Sequence, residues 1–61
     1  MRIRLMLHLV DNDLVLFEGP PADCPPLPRP GDEIVHEEKR IRLEGVCHRF
    51  QSELLEISLL A

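Results

Sequence analysis

Five side chains in this sequence have the chemistry of metal ligands or nucleophiles: His8, His36, His48, Cys24 and Cys47. Zinc needs about four nitrogen or sulfur donors converging at about 2.0–2.3 Å. The chain contains neither C-x-x-C nor H-x-x-x-H. Cys47 and His48 are adjacent, so on a strand they point to opposite faces and do not readily share an ion. His36 and His48 are the pair that a common face would unite, and two ligands make no tight site. The histidines therefore read first as core-edge residues bonded to backbone or to a carboxylate. A thiolate nucleophile would be Cys47, with a histidine and either Glu44 or Asp32. The simpler expectation is a small structural cysteine, in a chain with little room for a substrate pocket. Asp32-Glu33 and Glu37-Glu38 are paired carboxylates in sequence only, because strand neighbours face opposite ways. Asp32 is placed to accept from a backbone amide in its own turn. No catalytic residue, cofactor or metal is expected.

The elements that would position these groups must be small. The chain has 61 residues, enough for one domain over 1–61. A chain of this length buries only about 60% of its unfolded surface. Its apolar residues are mostly Leu, Ile and Val, with Phe17 and Phe50 as the only aromatics. Eleven acidic residues against seven basic ones give a net charge of −4. Nucleic-acid binders usually carry a basic footprint and stacking aromatics, and both are scarce here. No run approaches the ~20 apolar residues of a membrane span. The start, MRIRLMLHLV, is interrupted by His8, followed by Asp11-Asn12-Asp13, and lacks a small-residue cleavage site, so a signal peptide is not expected. Reduced thiols at Cys24 and Cys47 and a cytoplasmic location follow as expectations.

Residues 2–10 alternate. Ile3, Leu5, Leu7 and Leu9 share one face; Arg2, Arg4, Met6 and His8 share the other. This predicts a half-buried strand. Asp11-Asn12-Asp13 predicts a turn, and LVLFE over 14–18 a second strand antiparallel to the first. That strand is apolar on both sides, so either Leu14 and Leu16 or Val15 and Phe17 face outward. All six prolines lie within 19–31, GPPADCPPLPRPG, which predicts a stiff polyproline-like crossover. Its P-x-x-P, Pro25 to Pro28 beside Arg29, matches a peptide-docking pattern too short to be specific. A third strand is expected over 33–37 and a fourth over 40–50, with Glu38-Lys39 as the turn or a longer loop over 37–40. With Glu38-Lys39 turning, His36 pairs with Ile41 and Ile34 with Leu43. A bulge at Glu44-Gly45 would place Ile41, Leu43, Val46, His48 and Phe50 on one face. Gln51-Ser52 turns into a last strand over 53–60, with Leu55, Ile57 and Leu59 inward. Five short strands without a helix suggest an all-β barrel or a strongly curved antiparallel sheet.

The long loop after the first hairpin, then PGDEIV, a hairpin and a glycine-kinked strand, together resemble an SH3-like small β-barrel. The segment PRPGDEIVHEEKRIRLEGVCHRF also resembles small uncharacterised bacterial proteins. The likeness covers about residues 28–60. It implies a five-stranded SH3-like barrel and implies no particular activity.

The expected function is protein binding, by a partner or by self-association, with a homodimer favoured. The two-sided apolar strands carry this expectation. The surface expected to bind comprises Met6, His8, Arg40, Arg42, His36 and His48. One alternative is a nucleic-acid-binding barrel using Arg2, Arg4, Arg40, Arg42 and Arg49. The other is a metal- or Cys/His-dependent protein centred on His36, Cys47 and His48.

Overall fold

The computed structural model describes residues 1–61. Six strands form: β1 (Arg2–His8), β2 (Asp13–Gly19), β3 (Glu33–His36), β4 (Lys39–Arg42), β5 (Gly45–Gln51) and β6 (Leu54–Leu60). The fold is all-β, without an α-helix. No helix is long and apolar enough to cross a membrane. The strands make two sheets, one of order β2-β1-β6-β5 and one of β3 with β4. They do not close into a barrel. The expected five strands are six because the fourth splits: the chain leaves β4 at Arg42, bends through Leu43 and Glu44, and enters the other sheet as β5.

The four-stranded sheet is also not purely antiparallel. β1 and β6 run parallel, from Arg2 opposite Leu54 to His8 opposite Leu60. β2 and β5 flank this central pair antiparallel. Nothing in the alternation of either strand marks the other as its neighbour. Both carry aliphatic side chains at every second position, and pairing them gathers those side chains into one core.

That core is Ile3, Leu5, Leu7, Ile57 and Leu59 from the central strands, plus Leu43. Leu14, Phe17, Leu55 and Val46 extend it along the sheet, while Ile34 and Ile41 of the β3–β4 hairpin cover it. Cys24 of the proline segment packs at its margin.

One bulge and one change of sheet reconcile the sequence with this face. Leu5 pairs with Phe17 but Met6 with Val15, so Leu16 is an extra residue in β2. Leu14 and Phe17 consequently both turn toward the core, and neither expected pairing of outward residues holds. Val15 and Leu16 are left exposed, at 58% and 38%. At the second place the chain changes sheet: the Leu43 N–H donates to the Asp32 carbonyl at 2.9 Å, the Glu44 N–H to the Leu60 carbonyl at 2.8 Å, and Gly45 opens the β5–β6 ladder opposite Leu60. The expected bulge inside one continuous strand is thus replaced by a change of sheet, and Ile41 and Leu43 meet Val46 in the core from two different sheets.

The hairpin turn sits one residue earlier than Glu38-Lys39. Glu37 and Glu38 both have positive φ, 50° and 66°, the pattern of a type I′ turn. Ile34 therefore pairs with Ile41 and His36 with Lys39. This shifts the expected pairing by two residues, which preserves the faces, so Ile34, His36 and Ile41 still share one. The β5–β6 turn, Ser52-Glu53, has the same form, at 50° and 63°. The first turn lies at Leu9–Asn12, closed by Leu9 N–H donating to the Asn12 carbonyl at 2.9 Å, and Asp13 already belongs to β2.

The proline segment is extended at Pro20 and Cys24 but contains one 3₁₀ turn, Pro21–Asp23. It ends in a type II turn over Arg29-Pro30-Gly31-Asp32. Proline supplies the second position and Gly31, at φ +94°, the third. Asp32 N–H donates to the Arg29 carbonyl at 3.0 Å, and its carboxylate accepts from Arg29 N–H at 2.8 Å.

Candidate functional site

The register arranges the outer face of the four-stranded sheet in rows. One row reads Glu18, Arg4, Glu56 and Arg49 across β2, β1, β6 and β5. Charges alternate in sign along it. Arg4 Nε donates to Glu18 Oε1 at 2.8 Å and its Nη1 to Glu56 Oε2 at 3.4 Å. Arg2 adds a contact to Glu18 at 3.3 Å. The hydrogen bond and the charge of Glu18 raise the Arg4 guanidinium above its ordinary value, with Glu56 adding to the effect. Reciprocally, the hydrogen bond and charge of Arg4 hold the Glu18 carboxyl below its ordinary value, helped by Arg2. These are exposed groups, and their main role is to fix one another in place.

The next row is Val15, Met6, Ser58 and Cys47, without a formal charge. Leu16 sits beside it at the bulge. Beyond it, Asp13 faces His8, whose Nδ1 lies 2.9 Å from Asp13 Oδ1. Leu60 follows on β6, 38% exposed. The outer face therefore divides into a charged region, ion-paired around Arg4 and Glu18 with Arg49 unpaired at its end, and a strip of weakly polar side chains.

The six residues expected to form one binding surface fall in four places. Met6 and His8 lie on the outer face just described. Arg40 and Arg42 are exposed on β4, cross-strand from Val35 and Glu33. His36 lines a cleft of about 230 Å³ between the β1–β2 turn and the β3–β4 hairpin, with Asp11, Glu37 and Lys39 as its charged neighbours. The His36 Nε2 stands 4.0 Å from Glu37 Oε1. This volume lies below the roughly 300–1,000 Å³ of small-molecule pockets. His48 stands on β5 opposite Ile57, exposed, in the other sheet.

His36 and His48 are thus not brought together. Cys47 faces outward opposite Ser58, while His48 faces the core side. Asp32 takes the Arg29 N–H within its own turn, and no hydrogen bond joins it to Cys47. No three His, Cys, Asp or Glu side chains gather to hold a metal. Both cysteines are free thiols. Cys24 is half-buried, with Sγ donating to the Pro25 carbonyl at 3.4 Å, and Cys47 is exposed. Of the five arginines in the nucleic-acid alternative, Arg2 and Arg4 are held by carboxylates, while Arg40, Arg42 and Arg49 make no ion pair.

Two surface features have no counterpart among the sequence expectations. Val15 and Leu16 are presented together only because of the bulge, which an all-apolar run does not announce. Phe50 is 65% exposed at the end of β5. The composition of GVCHRFQ, with one formal charge and no proline, was an available signal for an open edge. Comparison with known proteins finds no matching family model, no similar curated protein and no similar solved structure.

Proposed function

We propose that this chain is a small non-enzymatic protein-binding module. The observation that carries the reading is the uncharged outer strip, where Val15 and Leu16 are exposed beside Met6 on a rigid sheet. A flat, weakly polar patch bordered by fixed charges suits a protein partner better than a polyanion. Arg4, in the row beside the strip, is already paired with Glu18 and Glu56, and Arg2 beyond it with Glu18; Arg49 is the one arginine beside the strip that makes no ion pair. The SH3-like resemblance adds only the general idea of a small β-domain offering a face for binding, and the proposal uses no peptide groove. A cytoplasmic setting belongs to the same proposal, since two free thiols suit a reducing compartment.

Affinity capture from the native cell tests the reading, with the wild-type chain and a Val15→Asp, Leu16→Asp variant as baits. The expected result is a set of proteins retained by the first and lost by the second. Retention of the same set by both baits would overturn it. Nucleic-acid binding is the second reading, favoured by the exposure of Arg40 and Arg42 on one face of β4 without ion pairs. It predicts captured nucleic acid that Arg40→Ala with Arg42→Ala abolishes.

A further inference from the structure

The four-stranded sheet has two edges, and they are guarded differently. β2 is interrupted by the Leu16 bulge and carries Asp13 and Glu18. Bulges and charges are devices that discourage edge-to-edge pairing. β3 and β4 are only four residues each. β5 runs seven residues, Gly45–Gln51, with no proline, lysine or acid and a single formal charge, Arg49. It is paired with β6 without a break from Gly45 to Gln51. Its last five residues are all exposed, so no other segment covers the free side.

The β5–β6 turn decides which backbone groups face outward. Around a two-residue type I′ turn, the flanking residues exchange both main-chain bonds. Here those residues are Gln51 and Leu54. Alternation then assigns Arg49, Cys47 and Gly45 to β6. It leaves the N–H and C=O of Val46, His48 and Phe50 aimed at the open edge. The side chains of these three residues lie on the core side of the sheet, where Phe50 extends past Leu55 into solvent.

We infer that β5 pairs antiparallel with β5 of a second copy about a two-fold axis at His48, joining the two four-stranded sheets into one. In this register Val46 faces the partner's Phe50, and His48 faces the partner's His48. The full strand overlaps itself, and the free groups of three residues form about six main-chain hydrogen bonds. Arg49 faces the partner's Cys47, so no like formal charges stand opposite one another. Phe50 acquires an aliphatic cross-strand neighbour. Moving the axis to Phe50 would set His48 against the partner's Ser52, inside the turn, and shorten the ladder. Pairing β5 with the acidic β2 of another copy would match charge, but the bulge breaks the ladder, and the head-to-tail contact would not close. This inference goes beyond the binding-module reading: β5 is the edge opposite β2, and the contact uses neither Val15 nor Leu16.

Charge placement at the axis provides the test. His48→Glu and His48→Lys each set like charges opposite one another, whereas a mixture sets Glu against Lys. Sedimentation of the wild type should give a dimer, each variant alone a monomer, and the equimolar mixture a dimer again. A wild-type monomer at millimolar concentration, a higher polymer, or variants that stay dimeric alone would each overturn the inference. A mixture that stays monomeric would also overturn it. Amide exchange of the wild type needs no substitution. The Val46, His48 and Phe50 amides should exchange slowly at high concentration and at least tenfold faster on dilution to monomer. Fast exchange at both concentrations would overturn the inference too. A monomeric wild type that still captures partners through Val15 and Leu16 would leave the functional reading intact and remove only the dimer.

Discussion

Arg4 and Glu18 show how a single residue type acquires its role from register. In the sequence Arg2 and Arg4 are two cations on the outward face of a strand. The fold sets Glu18 and Glu56 on either side of Arg4, at 2.8 and 3.4 Å. Because Arg4 depresses the Glu18 carboxyl, the pair contributes stability above the ordinary carboxylate value of 4.5. That contribution is lost as pH falls through the lower folded value. Glu18→Gln removes this part of the acid sensitivity. Thermal midpoints of the variant should be lower than wild type near neutrality, and the gap should narrow as the pH falls below the carboxylate range. The two glycines flanking the hairpin also part company at this scale. Gly31 has φ +94°, where a side chain is strained. Gly45 is not in that region, and an added Cβ would meet Leu60 only at ordinary contact, 3.5 Å. The change of sheet beside it thus has no steric need for glycine.

At the scale of elements, turns were the least legible part of the chain and strand faces the most. Ile3, Leu5, Leu7, Ile57 and Leu59 stand at alternate positions and all are buried. Period two is a direct consequence of the pleat, so the sequence reports it faithfully. The Glu37-Glu38 turn lies one residue before the position the sequence suggests, because it has neither the Asn nor the Gly that marks a type I′ loop. Two glutamates are held there at positive φ. Replacing Glu37 by Asn and Glu38 by Gly should relieve that strain and raise stability by about 1 kcal/mol. Urea denaturation read as a shift in midpoint at constant slope would measure it. An unchanged or lower midpoint would count against the turn assignment. The β2 bulge and the change of sheet after β4 differ in legibility for a related reason. A glycine and a change of parity pointed to Glu44-Gly45. Leu14 to Phe17 is apolar throughout, so every parity fits and the extra residue leaves no trace.

The whole molecule depends on pairing its first and last strands. The parallel β1–β6 contact is closed by all of the chain between, so it forms at a high loop-closure cost and holds every other element in register. Ile57 is fully buried at the centre of that contact, opposite Leu5 and His48. Ile57→Ala should cost about 2–5 kcal/mol. A domain of this size has about 3–9 kcal/mol in total. The variant should therefore be largely unfolded at 25 °C or melt far below wild type, as circular dichroism would show. A variant with an unchanged melt would mean that β6 does not occupy the centre of the sheet.

The sequence by itself determined the all-β class, the faces of the terminal strands, the proline crossover and an interruption at Glu44-Gly45. Each is encoded locally, in a two-residue period or in the backbone restrictions of proline. Only the tertiary structure decided that β1 lies parallel to β6, that the sheets stay open, and that β5 becomes an edge. It likewise decided that His36 and His48 stand apart while Val15 and Leu16 come together. Alternation specifies which way a side chain points and is silent on which strand lies alongside. Neighbours are chosen by how well whole faces pack, and the placement of every candidate group follows from that choice.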